Sequence, residues 1–237
     1  MNTSVKNTAV LVFVRTVSEE AGFKKLGPAN SVRQNYNILS VLNRRIKRVC
    51  MASGLPTLVI SGTQQHGSSF GERLANAIEA AFDKGFDKVI AVGNDCLQVS
   101  ETLLNLAASQ LETCPVVLGP DTNGGHYLIG LSKAAFHRKS FIELPWQSNH
   151  LQRDFERYLS SNALHFQYLV EASDINHAID LLKALRHLSA YSRLYKVLKY
   201  LLFKYSPADQ MQTVPVNHAG AIIHPSLRGP PFLTLDR

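Results

Sequence analysis

The feature that most constrains the fold is a repeated alternation between short apolar runs and longer segments with helical periodicity. The three clearest runs, at residues 9–15, 57–61 and 88–92, are largely apolar throughout instead of alternating with polar residues. Such runs are typical of strands that are covered on both faces of a sheet. Helices between them imply right-handed βαβ units. We therefore predict an α/β fold with a mostly parallel central sheet flanked by helices.

The remaining elements are predicted from the same patterns. Further strands are expected at residues 115–118, 126–131 and 166–170. Helices are expected over residues 30–51, 68–84, 101–111, 149–160 and 175–185, the last with Asp174 as its N-cap. Between the first strand and the first helix, residues 16–28 are predicted to form a polar loop. We assign residues 1–187 to the main domain and residues 188–237 to a basic amphipathic helix with an irregular tail.

Composition favours a cytoplasmic protein with anionic partners. The three cysteines are odd in number and lack C-x-x-C spacing, which argues against a disulfide framework or a zinc site and for a reducing compartment. The first residues do not resemble a signal peptide, and no apolar run approaches membrane-spanning length. The net charge of +7 favours anionic partners such as nucleotides, phosphosugars, nucleic acid or acidic lipid, without identifying any of them.

Acidic and amide side chains follow three of the predicted strands, at the sheet edge where open parallel sheets bind ligands. These side chains belong to Asn94, Asp95, Asp121, Asn123, Asp174 and Asn176. The first strand leads to the basic residues Arg15, Lys24 and Lys25. Hard oxygen ligands facing basic side chains are the arrangement needed to hold a divalent cation together with a di- or triphosphate.

Two consecutive glycines, Gly124 and Gly125, stand beside these acids. An Asn-Gly hairpin would explain one of them. Two would let the backbone approach a nucleotide ring or a phosphate without an intervening Cβ atom. For His126 and Trp146, packing in the core is the ordinary interpretation, and contact with a ligand is the functional one.

Several segments together resemble a known family. They are GERLANA at residues 71–77, VGNDC at 92–96, VLGP and NGGHYLIG within 117–130, and LPWQS at 144–148. Over residues 9–185 the chain resembles the bacterial family DUF2064, whose members are described as glycosyltransferase-like proteins of GT-A fold. The resemblance implies a single Rossmann-like nucleotide-diphospho-sugar transferase domain with a C-terminal helical extension. More distantly, the chain is similar to nucleotidylyltransferases of the molybdenum-cofactor and phospholactate guanylyltransferase type.

The resemblance also implies roles for individual residues. In such folds an aspartate after a central strand binds a Mg²⁺ or Mn²⁺ ion that bridges the nucleotide phosphates, and Asp95 has that place. Asp174 or Asn176 would supply a second ligand, and Asp121 or Asn123 would orient the sugar or acceptor. Nucleotide and substrate contacts are expected from Arg15, Lys25, Arg73, Asn94, Gly124, Gly125, His126 and Trp146.

The chain departs from the family pattern in its first loop, which usually reads F-x-K-x-P-x-x-G-x-V-K-T-R-L. Here the prolines are absent, Phe23 replaces a lysine, and Glu19 and Glu20 add negative charge where phosphate is expected. The first hypothesis is a metal-dependent glycosyltransferase that uses a nucleotide-sugar donor. The alternatives are a nucleotidylyltransferase that joins an NTP to a phosphorylated acceptor, and a catalytically silent binding module of the same fold.

The basic helix at residues 189–205 is a separate feature. One interpretation is packing on the main domain or on a second subunit, which would make a homo-oligomer. The other is peripheral attachment to an anionic membrane surface at the inner membrane face, which would suit a lipid-linked acceptor. Nucleic-acid binding is not expected, because the basic residues form no recognised module. The sequence leaves the acceptor unknown.

Overall fold

The computed structural model describes residues 7–27 and 31–204. In that part of the chain the strands are β1 (Thr8–Val14), β2 (Thr57–Ser61), β3 (Lys88–Val92), β4 (Val116–Pro120), β5 (His126–Ser132) and β6 (Phe166–Tyr168). The α-helices are α1 (Val17–Phe23), α2 (Val32–Ala52), α3 (Phe70–Asp83), α4 (Glu101–Gln110), α5 (Arg138–Ile142), α6 (Leu151–Ser161), α7 (Ala178–Leu185) and α8 (Arg193–Lys204). The predicted strands and the long helices are therefore present, and the α/β fold class is confirmed.

The strands form one mixed sheet with the order β2-β1-β3-β5-β4-β6. Strand β5 is antiparallel to β3 and β4, whereas the other described pairs are parallel. The connection between β4 and β5 is too short for a crossover, so these two strands can pair only as a hairpin. As a result, the ends of β1, β3, β4 and β6 and the start of β5 meet at one side of the sheet, which we call the carboxyl edge.

The core lies on both faces of the sheet, as the apolar runs predict. All seven residues of β1 are buried. Leu11 and Phe13 pack on the side of α3, α5 and α6, whereas Val10 and Val12 pack on the side of α2 and α4. A strand whose two faces are both covered needs apolar side chains on both of them, which explains why β1 shows no alternation after Thr8.

The predicted polar loop after β1 is wrong, because it contains the helix α1. Thr16 caps this helix: its hydroxyl accepts from the Glu19 N–H at 3.3 Å, and the Glu19 carboxylate accepts from the Thr16 N–H at 3.0 Å. This reciprocal pair is a capping box, and it satisfies two backbone donors that a short helix would otherwise leave free. The box lets a helix of seven residues begin directly after the strand.

The predicted N-cap role of Asp174 is also wrong. Helix α7 begins at Ala178 with His177 as its N-cap, and the Asp180 carboxylate accepts from the His177 N–H at 2.9 Å. The residues before it are held instead by contacts between loops, including a hydrogen bond from the Ile175 N–H to the Asp95 carbonyl at 2.9 Å. Asp174 is thus released from capping and lies at the carboxyl edge.

Helix α8 packs on the body of the fold through its apolar side. Leu198 and Leu202 are buried in one cluster with residues of α2 and α7. The Gln34 amide on α2 donates to the carbonyls of Leu201 and Leu202 at 3.0 and 3.1 Å. The helix predicted from residue 189 begins at Arg193, and Tyr191, which precedes it, is 89% exposed. The predicted boundary at residue 187 stays a prediction, and the predicted tail lies outside the described residues.

Within the described part of the chain, no helix combines the length and the apolar character needed to cross a membrane.

Candidate functional site

A cleft of about 700 Å³ opens at the carboxyl edge of the sheet. Its wall combines aromatic side chains with most of the polar residues that the sequence singles out. Of the predicted site residues, those that line the cleft are Arg15, Arg73, Asn94, Asp95, Asp121, Asn123, Gly125, His126, Trp146, Asp174 and Asn176. The position follows from the topology, because the loops after parallel strands converge at this edge.

Three carboxylates come together on the floor of the cleft. Asp95 follows β3, Asp121 follows β4, and Asp174 lies in the loop after β6. Backbone contacts hold the three loops together: Cys96 pairs with Asp174 in an antiparallel bridge, and Asp121 pairs with Ala172 in a parallel one. Their assembly therefore depends on loop contacts over long sequence separations as well as on the sheet.

Asp174 lies in a buried and negatively charged environment. Burial, together with the negative charges of Asp95 and Asp121, raises its pKa to about 8, against the opposing effect of Lys24. Its Oδ1 atom is buried and has no hydrogen-bond partner in the described part of the structure. A carboxylate in this position gains from any positive charge that reaches it.

Asp121 orders the loops around it. Its Oδ1 atom accepts from the Asp174 N–H at 3.1 Å and from the Asn123 amide at 3.2 Å, and its Oδ2 atom accepts from the Asn123 N–H at 3.1 Å. Asp121 is 5% exposed. The two residues predicted to orient a sugar thus bond to each other, and through Asp174 they tie the β4–β5 turn to the loop after β6.

A lysine supplies positive charge inside the cleft. The Lys24 ammonium lies 2.9 Å from Asp95 Oδ2 and 3.3 Å from Glu20 Oε1, and it donates to the Ile175 carbonyl at 2.9 Å. These contacts engage all three protons of the ammonium group. The Coulomb attraction of Asp95 and Glu20 outweighs the opposing effect of burial and raises the pKa of Lys24. Lys24 therefore stays charged at neutral pH.

Glu20 belongs to the same network and does not face solvent. It is 6% exposed, and its Oε2 atom accepts from the Asn94 amide at 2.8 Å. The same Asn94 nitrogen donates to Asn43 Oδ1 at 2.6 Å. The negative charge of Glu20 is balanced by Lys24, and Glu19 serves the helix cap. The amide nitrogen of Asn94, a predicted contact for nucleotide, is engaged within the protein.

The other predicted cations divide between the cleft and the surface. Arg15 and Arg73 line the cleft, and the Arg15 guanidinium stacks over the Phe23 ring at 5.2 Å. Lys25 is exposed and is not among the residues that line the cleft. Its backbone pairs with His177 in a parallel bridge. Of the two adjacent lysines, the structure places Lys24 in the site and Lys25 outside it.

The two glycines have different environments. Gly124 has a φ of +84°, and a Cβ atom there would lie 2.3 Å from the Asn149 carbonyl oxygen. A Cβ atom on Gly125 would meet only Asp121 Oδ2, at 3.8 Å. Gly124 therefore allows the close approach of a neighbouring protein loop, whereas Gly125 leaves open space beside the Asp121 carboxylate. The sequence predicts that both glycines admit a ligand. In the structure Gly125 lines the cleft, whereas Gly124 serves a contact within the protein.

The two aromatic candidates pack against one cluster. The His126 ring meets the Phe155 ring edge-on at 5.3 Å, and burial lowers the pKa of His126 to about 4. Both ring nitrogens of His126 lack hydrogen-bond partners in the described structure. Trp146 donates its indole N–H to the Phe141 carbonyl at 2.8 Å and stacks near Phe70. His126 is therefore neutral at physiological pH, and Trp146 forms part of the cleft wall.

Some of the predicted metal ligands fit a divalent cation, but they do not form a complete site. Asp174 Oδ1 is buried without a partner, and the oxygen ligands on offer suit a hard cation such as Mg²⁺ or Mn²⁺. Among residues 7–27 and 31–204, however, no three His, Cys, Asp or Glu side chains form a preassembled metal site. One reason is local: the Lys24 ammonium already engages Asp95. A metal ion bound through Asp95 would have to compete with Lys24.

The central part of the chain is similar to a known sequence family. Residues 45–148 match the sequence model of DUF2064, which is described as an uncharacterized protein conserved in bacteria. The resemblance to DUF2064 is confirmed over these residues, which are fewer than the predicted span of residues 9–185. The matched region contains Asp95, Asp121, both glycines and Trp146, whereas α1 and the loop after β6 lie outside it. No curated protein matches this sequence.

One solved structure confirms the expected nucleotide-diphospho-sugar transferase fold, and two others show lower similarity. A crystal structure from Desulfovibrio desulfuricans G20, provisionally described as a nucleotide-diphospho-sugar transferase, is 21% identical, with a TM-score of 0.74 over 84% of this chain and 98% of that chain. A 4-diphosphocytidyl-2C-methyl-D-erythritol synthase from Anaerococcus prevotii is 10% identical (TM-score 0.47; 78% and 97% coverage). A cytidylyltransferase from Leptospira borgpetersenii is 12% identical (TM-score 0.45; 84% and 98% coverage).

Proposed function

We propose that this protein is a metal-dependent glycosyltransferase that takes a nucleotide-sugar as donor. The observation that carries the proposal is the convergence of Asp95, Asp121 and Asp174 beside the cationic side chains of Arg15 and Arg73 in one cleft. A volume near 700 Å³ is within the range of small-molecule sites. The likeness to the Desulfovibrio protein, whose description names a nucleotide-diphospho-sugar transferase, supports the same class.

The residues have separate roles in this proposal. Asp95 and Asp174 would hold the divalent cation, and Asn176 lines the cleft on the same loop as Asp174. The cation, when bound, supplies positive charge that stabilises a departing nucleoside diphosphate. Arg15 and Arg73 offset the remaining phosphate charge from the cleft wall. Asp121 and Asn123 would hold the β4–β5 turn close to the loop that carries Asp174.

His126 has a restricted role because of its low pKa. With a pKa near 4, the ring is neutral at physiological pH and cannot donate a proton as an imidazolium. Its unpartnered nitrogens can still accept or donate one hydrogen bond to a bound molecule. We assign no catalytic base, and a retaining mechanism would not need one of the inverting type.

A silent binding module is the second candidate, and the Lys24–Asp95 contact favours it. An ammonium that already neutralises the principal metal ligand gives the fold a stable state without a metal ion. A protein that kept the fold and lost the chemistry would retain such a contact, since nothing would displace it. The two candidates differ in whether metal and nucleotide bind together.

A thermal-shift screen with nucleoside diphosphate sugars and NTPs, each with and without Mn²⁺, tests the proposal. A ligand at a hundred times its dissociation constant adds about 2.7 kcal/mol, which raises the midpoint by roughly 5–10 °C in a domain of this size. The shift should require Mn²⁺ and be lost in Asp174→Asn, with the exposed Asp83→Asn as the matched control. Release of a nucleoside diphosphate would identify a glycosyltransferase, and release of pyrophosphate would identify a nucleotidylyltransferase. No shift with any pair would contradict the proposal and favour the silent module.

A further inference from the structure

Helix α8 presents a solvent-facing side that the cleft does not use. Its exposed residues are Arg193, Lys196, Lys199, Tyr200, Phe203 and Lys204. At 100° per residue they occupy roughly 140° of the helix circumference, so they form one continuous stripe. Tyr200 and Phe203 are 58% and 65% exposed. We call this stripe the outer face of α8.

All charged residues of the outer face are cations, and aromatic side chains lie near its centre. The helix contains no acidic residue. None of its four exposed cations forms an ion pair within the part of the chain that the structure describes. Lys199 and Lys204 instead lie 5.4 and 5.2 Å from the rings of Tyr195 and Tyr200. Positive charge is therefore uncompensated locally, and it surrounds exposed aromatic surface.

The opposite side of α8 fixes the direction in which this face points. Leu198 and Leu202 are buried against the body of the fold, and Gln34 bonds to the last carbonyls of the helix. Packing of the helix buries these leucines and leaves Tyr200 and Phe203 exposed to solvent. The helix axis consequently runs along the protein surface, and the outer face could contact a flat surface along its whole length.

We propose that the outer face of α8 docks this protein on an anionic lipid bilayer. Basic residues next to such a surface are attracted by its negative potential, each strengthening binding roughly fivefold. Tyr200 and Phe203 are suited to the interfacial region, where aromatic rings are favoured. Because only two aromatic residues would enter the interface, the attachment is peripheral, reversible and sensitive to salt.

This occupant fits the face better than nucleic acid or a second copy of the chain. Nucleic acid that contacts both cations and aromatic rings binds along a positively charged groove, whereas these side chains lie on the outward side of a single helix. A second copy would bring the same four cations against each other about a two-fold axis, which repels. An anionic bilayer complements the charge and accepts the exposed rings together. The proposal does not depend on what the cleft binds.

Flotation of the full-length protein with phosphatidylcholine vesicles, with and without phosphatidylglycerol, tests the proposal. Association should be at least about tenfold stronger with phosphatidylglycerol and should fall with added salt. Lys196→Glu with Lys199→Glu should lower it at least tenfold. The matched control reverses two exposed lysines near α5, Lys133→Glu with Lys139→Glu, and should retain binding because it changes the net charge equally at another surface.

A second pair of variants separates insertion from charge. Tyr200→Ser with Phe203→Ser should weaken vesicle association severalfold at unchanged net charge, while circular dichroism shows a retained fold. Equal flotation with neutral and anionic vesicles would overturn the proposal, and so would equal losses in the α8 and α5 charge reversals. Tighter binding of RNA than of vesicles, or a dimer that the Phe203 change dissociates, would assign the face to a different partner and overturn it as well.

Discussion

The Nζ atom of Lys24 lies 2.9 Å from Oδ2 of Asp95, although 71 positions separate the two residues. A lysine thus takes the carboxylate oxygen that a metal ion would need. The charge of the cleft floor is set by this contact, because Glu20 and Asp95 share one ammonium between them. Whether a divalent cation enters the site depends on how readily Lys24 gives up Asp95.

Removing the Lys24 ammonium should expose a metal site. We expect Lys24→Met to bind Mn²⁺ at least about tenfold more tightly than the wild type, because the cation no longer has a competitor at Asp95. The free energy of unfolding should fall by roughly 3–5 kcal/mol without metal, since two partly buried carboxylates lose their partner. Electron paramagnetic resonance measures free Mn²⁺, and urea unfolding measures stability.

The neighbouring lysine provides the control for that experiment. Lys25 is exposed and lies outside the cleft, so Lys25→Met should leave Mn²⁺ affinity unchanged. Asp95→Asn in the Lys24→Met background should abolish the gain. Equal Mn²⁺ affinity in the wild type and in Lys24→Met would show that Lys24 does not guard the site.

Alanine substitutions should distinguish a glycine that contacts a neighbouring loop from a glycine that is needed only for its backbone conformation. Gly124→Ala should lower the free energy of unfolding by about 2–4 kcal/mol, because its φ is +84° and the new Cβ atom would meet the Asn149 carbonyl. Gly85→Ala has a φ of +91° but open space around it, and should cost only about 1 kcal/mol. Urea unfolding measures both. Similar losses in the two variants would mean that the Asn149 loop moves aside.

Gly125→Ala completes this series. Its Cβ atom would meet only Asp121 Oδ2 at an ordinary contact distance of 3.8 Å, so stability should change by less than about 0.5 kcal/mol. Because Gly125 lines the cleft, the same substitution should weaken binding of any nucleotide found in the thermal-shift screen. Unchanged nucleotide affinity would remove Gly125 from the binding surface.

The low pKa of His126 makes stability depend on pH. The unfolded state takes up a proton near pH 6.5, while the folded state resists it until about pH 4, because burial disfavours the charged ring. The contribution of His126 to the free energy of unfolding is fully present above pH 6.5. It falls by up to about 3 kcal/mol as the pH drops from 6.5 to 4. The charge of Glu156 opposes the effect of burial and sets a limit on it.

A variant isolates this contribution from those of the carboxylates. Urea unfolding at pH 7.5, 5.5 and 4.5 is expected to show a smaller loss for His126→Leu than for the wild type (these pH values are chosen to bracket roughly the window between the two pKa values). The exposed His150→Gln should follow the wild type. Parallel pH profiles for the wild type and His126→Leu would show that the ring is protonated in the folded state at little cost.

The contact between α2 and α8 should control how firmly the last described helix is held. Gln34→Ala removes both hydrogen bonds to the carbonyls of Leu201 and Leu202 and should cost about 1–3 kcal/mol. Hydrogen exchange in α8 should accelerate before that of α3. Exposed Arg33→Ala, one residue away, serves as the control. Unchanged exchange in α8 would show that Leu198 and Leu202 suffice to hold it.

Local pattern predicts those parts of the fold whose structure is decided locally. Strands β1 and β3 are buried on both faces, so an uninterrupted apolar run is enough to find them. The positions of Asp95 and Asp121 follow, because loops after parallel strands share an edge. The reversal of β5 was foreseeable only from the short connection that precedes it.

The parts that sequence reasoning missed depend on small local signals or on distant contacts. Helix α1 has seven residues and too few apolar positions to show periodicity, and its one clear signal is the Thr16–Glu19 capping box. Without that helix, the spacing of Glu20 and Lys24 by one turn is not apparent, and the choice between Lys24 and Lys25 cannot be made. Asp174 was misread as a cap because its real constraint is a pairing with Cys96, far away in the sequence.

The shared ammonium of Lys24 has an evolutionary consequence. Replacing Lys24 alone leaves Glu20 and Asp95 as two unbalanced acids, and replacing Asp95 alone leaves a buried ammonium with one partner fewer. Lineages can therefore exchange this arrangement for another mainly through paired substitutions, or through an ancestor of reduced stability. A single-residue insertion between Glu20 and Lys24 would rotate Lys24 by about 100° away from Glu20 and break the contact between them in one mutational step. The helix should accordingly tolerate changes of residue type more readily than changes of length.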